Sequence, residues 1–219
     1  MYMFRRAVIV AAVAVTTLVG GVAQAAPVYW TDWTTRTATG AEGTLDVNGN
    51  VVGVTFTGPI NFLTTGAGTN YWNPSAPYLS AVVDNAPPAS DIISLNLGGT
   101  KTITFSKPVV NPLIALNSWN GNTVEFGVPI EVLSYGAGFW GNGTPIVNAA
   151  GTGFFGSGEV HGVIRLPGTF TQITFTDTSE NWHGLTVGVQ GVRDDVPEPA
   201  SLVLVTLGLV AAARLRRRQ

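Results

Sequence analysis

Short runs in which apolar and polar residues alternate recur along the middle of the chain. The alternation is clearest at residues 102–105 and 172–176, where every second side chain is apolar. Because successive side chains of a β-strand point to opposite faces, this period of two predicts strands with one buried face. Residues 26–196 show no convincing period of 3.6 residues, the pattern that is typical of an amphipathic helix.

Turn residues separate these runs at short intervals. Asn48-Gly49-Asn50, between runs at 44–47 and 51–57, is typical of a tight hairpin turn. Further strands are predicted at 91–97, 101–105, 113–119, 123–128, 130–134, 160–166, 170–176 and 185–191. About ten short strands predict an all-β domain over residues 26–190, an antiparallel β-sandwich or a jelly-roll-like fold.

Two longer stretches interrupt this pattern. Four prolines within residues 71–90 predict a loop there. Residues 135–158 are rich in glycine and predict a long loop or an irregular hairpin.

The N-terminus has the pattern of a secretory signal peptide over residues 1–25. Arg5 and Arg6 precede an uncharged apolar run at 7–22, which predicts a signal helix. Small residues at Ala23 and Ala25 fit the site that a signal peptidase recognises, and cleavage would leave Ala26 as the first residue. The alternative is an uncleaved membrane anchor; in both cases the general secretion machinery would export the chain.

The C-terminus has three consecutive parts. A tether at 191–199 contains Pro197-Glu198-Pro199, and an apolar run follows at 200–213. As a helix this run would extend about 21 Å, short of the hydrocarbon core of about 30 Å, although arginine side chains reaching the interface can offset the difference. A basic tail at 214–219 would stay in the cytoplasm and keep the preceding domain outside; its cations are Arg214, Arg216, Arg217 and Arg218. A plain C-terminal anchor and a buried core helix are the alternatives.

This ordered C-terminus resembles the PEP-CTERM sorting signal, in which a Pro-Glu-Pro motif precedes a short transmembrane helix and a basic tail. Pro197, Glu198 and Pro199 match the motif. The resemblance implies processing by an exosortase, a membrane enzyme of Gram-negative bacteria that make exopolysaccharide and biofilm. It implies a sorting route and no catalytic residue in this chain. Residues 158–189 also resemble strings in the β-rich ectodomains of other proteins with this signal, for which no activity is implied.

Charge distinguishes the central domain from the two ends. Charged residues make up 11% of the chain, against about 25% in a typical soluble domain. Five basic and twelve acidic side chains in residues 26–196 give this part a net charge of −7. An acidic domain without a basic cluster argues against a nucleic-acid partner. The absence of cysteine excludes disulfides, thiolate metal sites and cysteine nucleophiles.

No motif in the chain indicates catalysis. The two histidines, His161 and His183, match no metal-binding or triad spacing, and no G-x-S-x-G elbow is present. We therefore expect no enzymatic activity and no obligatory cofactor. Asp177 and Glu180 lie in a short loop rich in oxygen ligands, which makes them candidates for calcium. A solvated loop is the simpler interpretation.

The tryptophans are the remaining candidates for ligand binding. Sugar-binding modules present exposed aromatic rings beside amide and carboxylate side chains, and four tryptophans have such neighbours or lie in the glycine-rich loop: Trp72, Trp119, Trp140 and Trp182. Packing in the core or at the rim is the alternative for each one.

The sequence as a whole predicts an exported protein that is held in the membrane by its C-terminus and then reaches the cell surface or extracellular matrix. A structural or adhesive role in an exopolysaccharide-containing biofilm is the favoured interpretation. A carbohydrate-binding module, with or without calcium, is the alternative. A glycoside hydrolase is less favoured, because no pair of carboxylates is distinguished by its spacing.

Overall fold

The computed structural model describes residues 25, 27–66 and 68–192. The predicted signal helix lies outside these residues except for residue 25, and the sorting motif, the apolar run and the basic tail lie wholly outside them. Within them the chain forms fifteen strands and one short 3-10 helix at Ala76–Tyr78. The strands are β1 (Tyr29–Trp30), β2 (Asp32–Thr37), β3 (Gly40–Val47), β4 (Asn50–Thr57), β5 (Phe62–Thr65), β6 (Asp91–Leu95), β7 (Gly99–Val110), β8 (Leu113–Trp119), β9 (Thr123–Glu125), β10 (Glu131–Gly136), β11 (Gly143–Val147), β12 (Gly153–Gly158), β13 (Val160–Arg165), β14 (Thr169–Asp177) and β15 (His183–Val189).

The strands form two antiparallel sheets that pack face to face. The seven-stranded sheet has the order β10-β13-β8-β15-β6-β5, with β1 also paired to β15. The eight-stranded sheet has the order β11-β12-β9-β14-β7-β4-β3-β2. Apolar side chains from both sheets, such as Leu45 and Phe56 on one and Leu116 and Val187 on the other, form one continuous core. The predicted all-β, antiparallel sandwich is therefore confirmed.

Burial differs between the sheets because only one of them is covered on both faces. Strand β3 alternates between buried and exposed residues, as expected for a sheet with one face in water. Every residue of β8 and β15 is buried. The outer face of the seven-stranded sheet is covered by the predicted 71–90 loop, whose Trp72, Tyr78 and Val83 pack in a second apolar cluster.

Some turns join neighbouring strands of one sheet, and others lead from one sheet to the other. The turn at Asn48-Gly49 joins β3 and β4 as a hairpin, and both residues have the positive φ that a tight turn of this kind requires. The turn at Gly98, by contrast, leads from β6 in the seven-stranded sheet to β7 in the eight-stranded sheet. The chain likewise changes sheet between β8 and β9.

The glycine-rich stretch at 135–158 contains the hairpin that was one of its two predicted forms. Strands β11 and β12 pair from Gly143–Gly158 to Val147–Phe154 at the edge of the eight-stranded sheet. Strands β1, β2 and β5 were not predicted. Among the described residues, no helix has the length and apolar character needed to span a bilayer.

Candidate functional site

A cleft of about 340 Å³ opens at one end of the sandwich. Its lining comes from four segments that are distant in sequence: the end of β8 and its following turn, the loop between β10 and β11, the connection between β12 and β13, and the loop between β14 and β15. The lining residues are Ser118, Asn120, Trp140, Glu159, Glu180, Asn181 and Trp182. Aromatic rings, amides and carboxyl groups thus face one concave surface.

The aromatic wall of the cleft is built around Trp140 and Trp182. The indole of Trp140 is 53% exposed, and its ring centroid lies 5.9 Å from that of Trp182 with the planes inclined by 63°. Tyr71 packs 5.3 Å from Trp182 and 5.2 Å from Phe139. Tilted and edge-to-face ring contacts of this kind stabilise the ring positions, so the exposed Trp140 is held in place by its neighbours.

A buried histidine anchors the loop that carries Trp140. The backbone N–H of Trp140 lies 3.4 Å from His161 Nε2, and the hydroxyl of Tyr78 lies 3.2 Å from His161 Nδ1. Burial lowers the pKa of His161 to about 4, so the ring is neutral at pH 7 and Nε2 accepts the Trp140 hydrogen bond. The loop also passes close to this ring at Gly138, where a Cβ would lie 2.2 Å from His161 Cγ.

Two polar side chains hold the first carboxyl group of the cleft. Asn120 Nδ2 donates to Glu159 Oε1 at 2.8 Å. The hydroxyl of Ser118 donates to Glu159 Oε2. Ser118 has a φ of 58°, an uncommon conformation for a residue other than glycine, at the end of β8. The resulting geometry fixes Glu159 at the cleft wall.

The second carboxyl group, Glu180, differs in environment. Burial, with smaller contributions from the negative charges of Glu159 and Asp177, raises the pKa of Glu180 to about 8. Glu180 is therefore mostly neutral at pH 7. Its Oε2 atom is buried and lies 3.4 Å from His183 Nδ1, and neither atom has a hydrogen-bond partner. The cleft thus places a neutral acid beside Glu159.

Two of the four candidate tryptophans are not available to a ligand. Trp72 is 2% exposed, and its Nε1–H donates to the carbonyl of Asp91 at 3.3 Å. Trp119 is fully buried, and its Nε1–H donates to the carbonyl of Gly184 at 2.8 Å. The neighbouring amides made both look like sugar contacts, but apolar clusters on either side of β8 enclose them. Trp140 and Trp182 alone among the four line the cleft.

The calcium candidates Asp177 and Glu180 approach opposite nitrogens of the His183 ring. Asp177 Oδ1 accepts a hydrogen bond from the ammonium group of Lys101, and Oδ2 lies 3.0 Å from His183 Nε2. Both oxygens of Asp177 are thus engaged beneath the cleft. Within the part of the chain that the structure describes, no group of three or more His, Asp or Glu residues is placed to hold a metal ion.

Sequence reasoning missed Glu159 and Lys101. The partners of Glu159 lie 39 and 41 residues away in sequence, and Lys101 meets Asp177 across 76 residues. No local spacing could therefore have distinguished them. The strand pairing of β7 with β14 is the only signal that connects Lys101 with Asp177, and it depends on knowing the sheet order.

Comparison with protein families identifies the C-terminal segment. A family model described as the PEP-CTERM protein-sorting motif matches residues 195–218. Comparisons with curated proteins and with solved structures give no match. The matched segment covers Pro197-Glu198-Pro199, the apolar run and the arginines, as predicted. The motif implies export and C-terminal anchoring in the membrane, and it marks a substrate of an exosortase. The chain thus carries the PEP-CTERM protein-sorting motif at its C-terminus.

Proposed function

We propose that this protein is an adhesive component of the exopolysaccharide matrix of a Gram-negative bacterium, and that it binds polysaccharide through the Trp140 cleft. The sorting motif brings the protein to the cell surface. The sandwich then presents the cleft to the surrounding matrix. The structural role and the carbohydrate-binding role considered from the sequence become one function in this proposal.

One observation supports polysaccharide as the ligand. Trp140 is a large apolar side chain with 53% of its surface exposed, although its neighbours hold it rigidly. The C–H face of a sugar ring packs on such an indole, and the adjoining polar groups of Asn120, Asn181 and Glu159 can hydrogen-bond its hydroxyls. Binding sites commonly combine an apolar wall with a few placed polar groups.

The angle between the Trp140 and Trp182 rings limits which saccharides the cleft can bind. Trp140 and Trp182 are inclined by 63°, so they cannot both stack on one flat face of a polysaccharide chain. The cleft volume of about 340 Å³ is also small. This geometry favours one or two sugar units, such as a chain end or a side branch, over the flat surface of a crystalline polymer.

A glycoside hydrolase is the weaker alternative. Two carboxyl groups lie in one cleft, and Glu180 is mostly a neutral acid at pH 7, which resembles the pair of carboxyl groups that such enzymes use. The free oxygen of Glu180 is, however, buried towards His183. A general acid must be within reach of the bond that it protonates. The arrangement therefore supports binding over hydrolysis.

Retention on the exopolysaccharide of the producing strain tests this proposal. We expect the purified wild-type protein to be retained, and Trp140→Ala to lose about tenfold in affinity, because an aromatic contact contributes about 1.4 kcal/mol. Tyr135→Ala is the matched control, since Tyr135 is 52% exposed but does not line the cleft. Equal retention of all three proteins would contradict the proposal. Repeating the retention assay with a chelator tests whether calcium assists binding. Release of reducing sugar ends would indicate hydrolysis.

A further inference from the structure

A lysine and an aspartate meet in the interior beneath the cleft. Lys101 on β7 and Asp177 on β14 lie on neighbouring antiparallel strands, where Lys101 is opposite Phe175 and Asp177 is opposite Gly99. Both side chains have 0% exposure and form an ion pair. Moving two charges out of water costs several kcal/mol per ion before their mutual attraction is counted. This cost is of the same order of magnitude as the whole free energy of unfolding of a typical domain.

The surroundings of this pair exclude water. Phe175 and Trp119 belong to the same apolar core, and Trp119 packs 4.5 Å from the His183 ring that contacts Asp177. The stem of Lys101 also packs closely on Gly58, where a Cβ would lie 2.8 Å from Lys101 Cγ. The amine is thus confined next to the carboxyl group, with little freedom to move away from it.

The remaining hydrogen bonds orient both reactants. Lys101 Nζ donates to the carbonyl of Leu97 at 2.7 Å as well as to Asp177 Oδ1. His183 Nε2 lies 3.0 Å from Asp177 Oδ2, and because a carboxylate oxygen can only accept, we assign the hydrogen of this contact to Nε2. A donor on Oδ2 stabilises negative charge on that oxygen, as the donors of an oxyanion hole do.

We propose that Lys101 and Asp177 condense within the folded protein to form an intramolecular amide cross-link between β7 and β14. One proton first passes from the ammonium group to Asp177 Oδ1, because a water-free site disfavours the separated charges. The Nζ lone pair then attacks Cγ, and His183 Nε2–H stabilises the oxyanion on Oδ2. A second amine proton passes to Oδ1, the Cγ–Oδ1 bond breaks, and one water leaves.

The product keeps the hydrogen bonds that the reactants already make. The amide N–H still donates to Leu97, and the amide carbonyl oxygen, Oδ2, still accepts from His183. Two buried charges are replaced by one neutral amide. Fixing the reactants in contact provides effective molarities of about 10⁵ M or more in well-oriented systems, which offsets the tendency of water to hydrolyse amides. No oxidant, metal or other reactant is required.

Peptide mapping of the denatured full-length protein tests this proposal. Trypsin cuts after Arg36, Lys101, Arg165 and Arg193, whereas Lys107 precedes Pro108 and resists cleavage. Without the cross-link, residues 37–101, 102–165 and 166–193 appear as separate peptides. With it, Lys101 is no longer a cleavage site, and 37–165 is joined to 166–193 in one branched species. That species is lighter than the sum of its two peptides by one water.

Two variants test whether Lys101 forms the amide bond and whether His183 promotes its formation. Lys101→Arg keeps the cation but removes the amine, and we expect only separate peptides. His183→Phe keeps a ring against Trp119 but removes the donor to Oδ2, and we expect a smaller branched fraction. Separate peptides from the wild-type protein, or a branched species that persists in Lys101→Arg, would overturn the proposal. The outcome is independent of sugar binding, since neither Lys101 nor Asp177 lines the cleft.

Discussion

At the scale of single residues, the environment of each titratable group in the cleft determines its charge. Burial lowers the pKa of His161 to about 4, and the charge of Glu159 opposes this shift only in part. Glu180 is buried beside other acids, and burial raises its pKa to about 8. Both groups are therefore neutral at pH 7, and each gives stability a different dependence on pH.

The neutral form of His161 stabilises the fold on the alkaline side. Its pKa is near 6.5 when unfolded and about 4 when folded. The unfolded chain therefore binds the proton more tightly. The contribution is complete above about pH 6.5 and is lost as the pH falls towards 4. We predict that His161→Gln shows a weaker loss of urea-unfolding free energy between pH 6.5 and 4 than the wild-type protein. Identical slopes would contradict this assignment.

Glu180 has the opposite effect on how the stability of the fold depends on pH. Its folded pKa of about 8 lies above the unfolded value, so the protonated form stabilises the folded state. This contribution is complete at pH values below about 4.3, and it is lost as the pH rises through 8. We predict that Glu180→Gln loses less thermal stability than the wild-type protein between pH 6 and pH 9. A larger or equal loss in the variant would show that Glu180 does not titrate in this range.

At the scale of elements, local patterns predicted strands better than they predicted pairing. The Asn48-Gly49 turn specifies its own hairpin, because the backbone geometry is encoded in those two residues. Every residue of β8 is buried because the 71–90 loop covers its outer face, and no local signal reveals this contact. The cleft residues converge through sheet order. Sequence favoured exposure for Trp140, which lies in the glycine-rich stretch, but could not separate Trp182 from the buried Trp72 and Trp119.

The loop between β10 and β11 provides a prediction at this scale. Gly138→Ala would place a Cβ 2.2 Å from the buried His161 ring, and overpacking of this kind typically costs about 1–3 kcal/mol. We expect a lower midpoint of urea unfolding together with weaker polysaccharide binding, since the same contact positions Trp140. Gly66→Ala is the control, because a Cβ there would meet no atom within 4 Å. Equal effects of the two substitutions would contradict the anchoring role of His161.

At the scale of the whole molecule, the sorting motif and the folded domain are separate in sequence. The family match begins at residue 195, beyond the last strand, β15, which ends at Val189. Sequence alone identified this motif, because its recognition depends on order along the chain and not on tertiary contacts. The folded domain carries the acidic charge and the cleft, so the two parts can be altered independently.

Replacing Pro197-Glu198-Pro199 by three alanines tests this independence. These residues lie outside every strand of the sandwich, so we expect an unchanged thermal unfolding midpoint. The apolar run at 200–213 remains, and the full-length protein should accumulate in the inner membrane of an exosortase-bearing host. Cell fractionation measures the release. Equal release of the variant and the wild-type protein would leave residues 200–218 as a plain membrane anchor.

The most direct test of the cleft as a polysaccharide-binding site is an NMR titration that observes the indole N–H signals of all six tryptophans. Oligosaccharides from the exopolysaccharide of the producing strain would be the ligand. The proposed function predicts that the signals of Trp140 and Trp182 shift in a saturable manner, while those of the buried Trp72 and Trp119 stay in place. Unchanged signals for Trp140 and Trp182 at saturating oligosaccharide would contradict it.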